Sequence, residues 1–500
     1  MNAKYSEPFD LIVVGGGPGG STLATFVAMQ GHQVLLLERE SFPRYQIGES
    51  LLPSTIHGIC VMLGVSENIK KANFMLKRGG TFRWGKDATP WTFNFGSSAI
   101  PTPIGYAYQV ERSKFDAILL DNARRKGVEV RECNLVKDLL RGEDGRIVGV
   151  IVAQPDGSER AFKARYVADA SGNESRLATK VGERIHSKFF RNVALFCYYK
   201  HGKRLAPPNE GNILCAAFDA GWFWYIPLSN ELTSVGAVIS REHADKLKDG
   251  YEAAMQSFID SCAIVKEYLR SATRVTEGNY GKFRVRKDYS YTNTRFWAPG
   301  VALVGDAACF IDPVFSSGVH LATYSALLAA RSINTCLSGS GIDEQTCFGE
   351  FERRYRREYS NFYEFLLAFY DMHQDKESYF WTARKVLNTE EKANDAFIRL
   401  VAGVGSSGEP LYARAEDFFT GREGVGAMFQ DWSGRGDMDN PFHISADRKI
   451  GPTSILSEIK REAVQIEAQA ILGEQRAKER PLFEGGLIPS KDGFHWSRPS

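Results

Sequence analysis

The sequence predicts an α/β fold: a parallel-sheet core opening on a β-α-β unit, an inserted antiparallel sheet, and a helical C-terminal region. Three observations predict it. A short apolar run at 11–14 leads through a glycine-rich turn into a small-residue helix at 21–30 and a second strand at 34–38. Apolar runs at 193–199, 221–228 and 232–239 follow one another with no helical pattern between them. From 348 onward, Phe348, Phe351, Tyr355, Tyr359, Phe362, Phe365 and Phe369 recur every three or four positions, the spacing of one helix face.

Strand and helix signals continue to about residue 190, and the chain returns to a strand at 301–304 followed by Gly305-Asp306-Ala307 and a helix. Residues 1–190 and 300–345 are therefore expected to form one discontinuous domain. Residues 191–299 would form a sheet lobe around a substrate, and 346–500 a mostly helical region. The last region contains a weakly patterned stretch rich in Gly, Asp and Ser (403–453) and an amphipathic run at 454–480 with Ile455, Ile459, Ile466 and Ile471.

At 500 residues the chain is long enough for several lobes, and its net charge of +2 creates no field that would recruit nucleic acid or an anionic membrane. Eight cysteines are scattered without a C-x-x-C pair, which reads as reduced thiols and no metal centre. No apolar run approaches ~18 residues, and no signal peptide precedes the first strand, so a soluble cytoplasmic protein is expected.

Gly15-Gly16-Gly17-Pro18-Gly19-Gly20 fits G-x-G-x-x-G between a strand and a helix. The first glycine permits the tight turn and the second lets backbone approach a pyrophosphate. The third lets the helix pack on the strand, with its N-terminal amides aimed at the anion. Glu38 ends the second strand, where a carboxylate can accept hydrogen bonds from ribose hydroxyls. The turn alone fits FAD or NAD.

Asp169-Ala170-Ser171-Gly172 and Gly305-Asp306-Ala307-Ala308 each follow a strand. With the turn, this pattern resembles the glutathione-reductase-like FAD fold of aromatic hydroxylases. That resemblance implies FAD contacts from Asp306, from Arg112 in Gln109-Val110-Glu111-Arg112, and from Arg44 in Phe42-Pro43-Arg44-Tyr45 near a phosphate. It also implies that Glu49 lies beside the flavin edge. Asp288 falls in a stretch that runs close to the flavin methyl groups in some relatives.

Three further stretches resemble FAD-dependent halogenases, most closely those of the chloramphenicol and chondramide pathways. Trp222-Phe223-Trp224-Tyr225-Ile226-Pro227 matches W-x-W-x-I-P, and residues 310–318 match F-x-x-P-x-x-S-x-G. Lys77 stands four residues before Thr81-Phe82, where the family places its lysine. The resemblance implies that the Ser317 and Gly318 amides hold chloride or bromide and that Val319 touches the flavin ring. Trp222 and Trp224 would wall the organic substrate from the flavin, and Lys77 would hold the hypohalous acid. Phe315 stands where halogenases of free tryptophan carry a glutamate, which points to a more electron-rich phenol or pyrrole.

The reaction so implied is two-component. A separate flavin reductase supplies FADH2, and O2 and chloride or bromide act on a small aromatic substrate, either free or tethered to a peptidyl or acyl carrier protein. Two other readings share the fold: an aromatic hydroxylase, and an FAD-binding docking subunit without catalysis.

Overall fold

The computed structural model describes residues 8–83, 89–96, 104–154, 156–187, 190–287, 290–371, 401–402 and 481–499. The stretches expected at 403–453 and 454–480, and Asp288, lie outside these residues, as do the side chains of Phe365 and Phe369.

Phe9–Val14 is flanked in parallel by Val34–Leu37 and Glu159–Asp169. Glu129–Arg131 extends the layer on one side and Val301–Leu303 on the other. The register aligns Val14 with Leu37 and with Asp169, and Asp169 with Leu303. The carboxyl ends of these strands therefore form one edge, where open α/β sheets bind their ligands. Gly15, Glu38, Ser171 and Asp306 all come just after strand ends on that edge. Between 129 and 169 the connection is an antiparallel meander of Leu135–Arg141, Ile147–Ala153 and Glu159–Asp169, where alternating strands and helices were expected.

The first helix, Pro18–Ala28, packs along the long helix Ser317–Leu337. The approach is close: a Cβ on Gly19 would stand 3.2 Å from the Ala322 carbonyl oxygen. Small residues on the first helix are thus a packing requirement as well as a turn requirement.

The expected strands of the second sheet form at Asn192–Lys200, Gly221–Pro227 and Leu232–Ser240, all antiparallel. The sheet is larger than residues 191–299, however. Ile213–Phe218 pairs in parallel with Gly79–Arg83, which in turn pairs with Trp91–Asn94, so the N-terminal half supplies an edge. A strand of Lys77's neighbourhood is thereby built into the second sheet.

One face of this sheet, with Leu195, Phe223 and Ala237, packs on the helices Tyr251–Ser261 and Ala263–Tyr268. The other carries Phe196, Tyr198, Cys215, Trp222 and Trp224 and joins the main core. Burial on both faces explains why these strands read as continuous apolar runs rather than as alternation.

The aromatic helix spans Glu344–Asp371, and Phe348, Phe351, Tyr355 and Phe362 on it are buried. The end of the chain departs from the helical expectation. Ile488–Pro489 and Trp496–Ser497 pair antiparallel, and the hairpin is fastened to the long helix. Arg331 Nε donates to the Gly493 carbonyl at 2.7 Å and Trp496 Nε1 to Ser332 Oγ at 2.9 Å. No helix among the described residues is long and apolar enough to cross a membrane.

Candidate active site

The glycine turn sits on the ligand edge with no side chain capping its helix. Gly15 adopts φ +105°, and a Cβ there would lie 2.5 Å from the Ala170 carbonyl oxygen. A Cβ on Gly20 would lie 1.9 Å from the Gly15 oxygen. Neither position admits a side chain. Glu38 is buried and binds the turn: Oε2 accepts from the Gly16 amide at 2.6 Å and Oε1 from the Glu40 amide at 2.8 Å.

Arg44 reaches over this turn, its Nη2 standing 3.4 Å from where a Cβ on Gly17 would be. Its Nη1 donates to Asp116 Oδ2 at 3.0 Å, and Arg112 donates to the same carboxylate through Nε and Nη2 at 2.7 and 2.9 Å. Asp116 is fully buried between the two arginines. The sequence reading gave Asp116 no role; its place four residues after Arg112 on one helix is the signal that could have found it. Arg112 also donates from Nη1 to the Ile47 and Gly48 carbonyls, so it holds the loop that carries Glu49.

Asp306 follows the strand Val301–Leu303. It keeps some solvent contact although protein surrounds its carboxyl, as at the floor of a crevice. Burial pushes it up to about 6, against the pull of Arg112, Arg286 and Arg184. Glu49 is 2 % exposed and burial pushes it up to about 7, partly offset by the Ser234 and Tyr198 hydroxyls. Tyr198 donates to Glu49 Oε1 at 2.8 Å; Oε2 meets hydrogen-bond geometry with no described group.

These residues fit a dinucleotide. A side-chain-free turn, a helix N-terminus open to an anion, an arginine over the turn and a buried acid on the second strand make one continuous cradle.

A second uncapped helix N-terminus opens the helix Ser317–Leu337. The Asp312 carboxylate accepts from the Val314 amide at 3.0 Å and sets the short turn Pro313–Phe315. Ser316 then adopts the left-handed conformation (φ 60°, ψ 25°), and the helix Ser317–Leu337 begins with no side-chain cap. The turn therefore leads to a bare helix start, with Ser317 and Gly318 at its first positions. A Cβ on Gly318 would lie 2.9 Å from Phe310 Cε2, so the phenylalanine ring lies over this start. Between Gly305-Asp306-Ala307 and this helix lie a short strand, Cys309–Phe310, and the Pro313 turn. Val319 is nearly buried in the first turn.

Lys77 ends the strand Met75–Lys77 and is 2 % exposed. Its Nζ donates to the Leu51 carbonyl at 2.9 Å and to Ser316 Oγ at 3.4 Å, and lies 5.3 Å from the Phe95 ring centroid. Burial lowers its pKa to about 7. It lines a small recess whose wall includes Phe82, Phe93, Phe95 and Phe315.

Trp222 and Trp224 lie on the crevice-side face of the sheet, ring centroids 6.3 Å apart. Trp224 stands opposite Gly236, where a Cβ would approach the indole to 2.2 Å, and its Nε1 donates to Ser234 Oγ at 3.2 Å. The ladder pairs Trp224 with Cys215 and Cys215 with Phe82, so the indole wall and the recess wall share one face of one sheet.

A family model described as tryptophan halogenase matches residues 10–103 and 97–432. The chain is 33% identical to a tryptophan 2-halogenase of Chondromyces crocatus over 411 residues, which cover 80% of this chain and 76% of that protein. The solved structure of the myxobacterial chondrochloren halogenase, described as a new variant of FAD-dependent halogenases, is 55% identical with a TM-score of 0.74. It covers 98% of this chain and 100% of that one. That of CmlS, a flavin-dependent halogenase, is 28% identical with a TM-score of 0.70, covering 99% of this chain and 84% of that one.

Proposed function

The chain belongs to the family of flavin-dependent halogenases, and from that premise we propose that it halogenates a small phenol- or pyrrole-like ring held against Lys77. One observation carries the assignment of roles: the Lys77 ammonium lies 3.4 Å from Ser316 Oγ, at the opening of the helix that begins with Ser317 and Gly318. Hypohalous acid formed where halide is held would then have only a short way to travel to the amine.

FAD fits the crevice, with Gly15, Gly16, Gly17, Gly19 and Gly20 for its pyrophosphate. Glu38 would serve its ribose, and Arg44, Arg112, Asp306, Glu49 and Val319 the rest of the molecule. Bound and reduced, it supplies with O2 the oxidant that turns halide into hypohalous acid. A separate flavin reductase provides the reduced form, as this family generally requires.

The chain's own residues do the remainder. The Ser317 and Gly318 amides point positive charge at the halide from a long helix. Trp222 and Trp224 fill the space through which an aromatic substrate would otherwise reach the oxidant. Lys77 meets the hypohalous acid either as an ammonium that donates to it or as a neutral amine that forms an N–halogen bond; near pH 7 both forms are present. The ring then loses its proton after electrophilic attack. No carboxylate stands at position 315 to assist that loss, so the ring has to be electron-rich in its own right.

The test is purified protein with FAD, a flavin reductase, NADH, chloride or bromide and a panel of phenols and pyrroles. The panel is offered both free and as carrier-protein thioesters, with products read by mass spectrometry. Halogenated product that vanishes in Lys77→Ala supports the assignment, and preference between the two panel halves decides whether the substrate is tethered. Oxygenated product without halide would favour the hydroxylase instead, and product retained in Lys77→Ala would remove the lysine from its role.

A further inference from the structure

Behind the halide loop, His320 lies one turn into the helix that starts at Ser317. It is 2 % exposed and hydrogen-bonded on both ring nitrogens. Nδ1 is 2.9 Å from Ser54 Oγ, and Nε2 is 2.6 Å from Glu358 Oε1 on the aromatic helix. Ser54 and Glu358 are themselves buried.

These contacts close a ring through both reactive elements. Lys77 Nζ is bound to the Leu51 carbonyl, and three residues later Ser54 binds His320. Four residues back along the chain from His320, Ser316 Oγ meets Lys77 Nζ again. The lysine and the halide-holding helix start are thus joined twice, directly through Ser316 and indirectly through Ser54–His320. Glu358 braces the imidazole from a third element, and the Ser54 amide donates to the Ala402 carbonyl at 3.3 Å. A protein needing only stability at this point would bury an apolar side chain, because a buried polar network adds little net stability.

We propose that Ser54, His320 and Glu358 are positioning residues that fix the gap between the halide amides and the Lys77 amine, so that hypohalous acid is captured by Lys77 rather than lost. The inference rests on the halogenase reading for its consequence, but the geometry it asserts is measurable without flavin.

Two experiments test it, with Ser54→Ala as the main variant and Glu358→Gln as a second that keeps an acceptor at the same position. In the first, reductase-coupled turnover is run with the aromatic substrate and a hypohalous-acid trap such as monochlorodimedone. The expected result is halide oxidation close to that of the unaltered protein, with ring halogenation down by about 10²-fold, the scale of a misplacement near 1 Å, and the missing halogen appearing in the trap. In the second, flavin-free protein is labelled at lysines with trinitrobenzenesulfonate across a pH series and Lys77 is read by peptide mass spectrometry. Its midpoint is expected near 7 in the unaltered protein and higher in Ser54→Ala, as the amine loosens toward solvent.

Product and trapped acid falling together, or both staying unchanged, would overturn the proposal, as would an unmoved Lys77 midpoint. If the unaltered protein gives neither product nor trapped acid, the halogenase reading has failed, and the labelling series still decides whether the clamp holds Lys77.

Discussion

Two helix starts in this molecule carry no side-chain cap, and they differ instructively. The first, at Pro18, is wrapped in glycine: Gly15 and Gly20 cannot carry side chains, Gly17 leaves room beneath Arg44, and the cradle is long. The second, at Ser317, is narrow. A left-handed Ser316 turns the chain into it and Phe310 covers Gly318. The same physics, bare amides at the positive end of a helix, suits a large diphosphate in one place and, in the function proposed above, a single halide in the other. What separates them is surroundings: an arginine pair sharing Asp116 at the first, a buried amine among phenylalanines at the second.

Breaking each end separately gives the largest effects. Gly20→Val drives a side chain into the Gly15 carbonyl, and the protein should purify without flavin, checked by its visible absorbance. Lys77→Met should keep flavin binding unchanged while ring halogenation falls by about 10²- to 10⁴-fold. The same variant should melt at a higher temperature. Folding depresses the Lys77 pKa to about 7 from 10.5, so the unfolded chain binds more protons between those values and stability rises with pH across that window. The advantage of methionine is therefore largest below pH 7 and fades toward pH 10.5, which thermal melts at several pH values would show.

Smaller changes sharpen the contrast. Gly318→Ala places a methyl against Phe310 and should weaken apparent halide affinity by about tenfold, equivalent to 1.4 kcal/mol, with flavin binding intact by fluorescence titration. Gly236→Ala leaves both helix starts alone and crowds the Trp224 indole. Overpacking there should cost about 1–3 kcal/mol in chemical denaturation and slightly lower the product formed per flavin oxidised.

The first helix start was fully legible in the sequence because its requirements are local: turn, helix and terminal acid lie within a few dozen residues. The fold followed from the same signals, together with the apolar runs after 192. What could not be read was whatever depends on distant partners. The strand Gly79–Arg83 joins a sheet whose members, apart from its neighbour Trp91–Asn94, begin more than a hundred residues later. Asp116 gains its meaning only when Arg44 folds over it, and Ser54 and His320 meet across 266 positions. The Ser316 turn was invisible for another reason: a left-handed serine has no composition signature, unlike a glycine.

The narrowness of the second start has a consequence for how such a protein can diversify. Its binding groups are main-chain amides, which every residue but proline carries, so exchanging side chains at 317 and 318 cannot change their chemistry. On the proposed function, inherited variation would alter the choice of halide by resizing the space around them, and Phe310, whose ring lies against Gly318, is placed to do so.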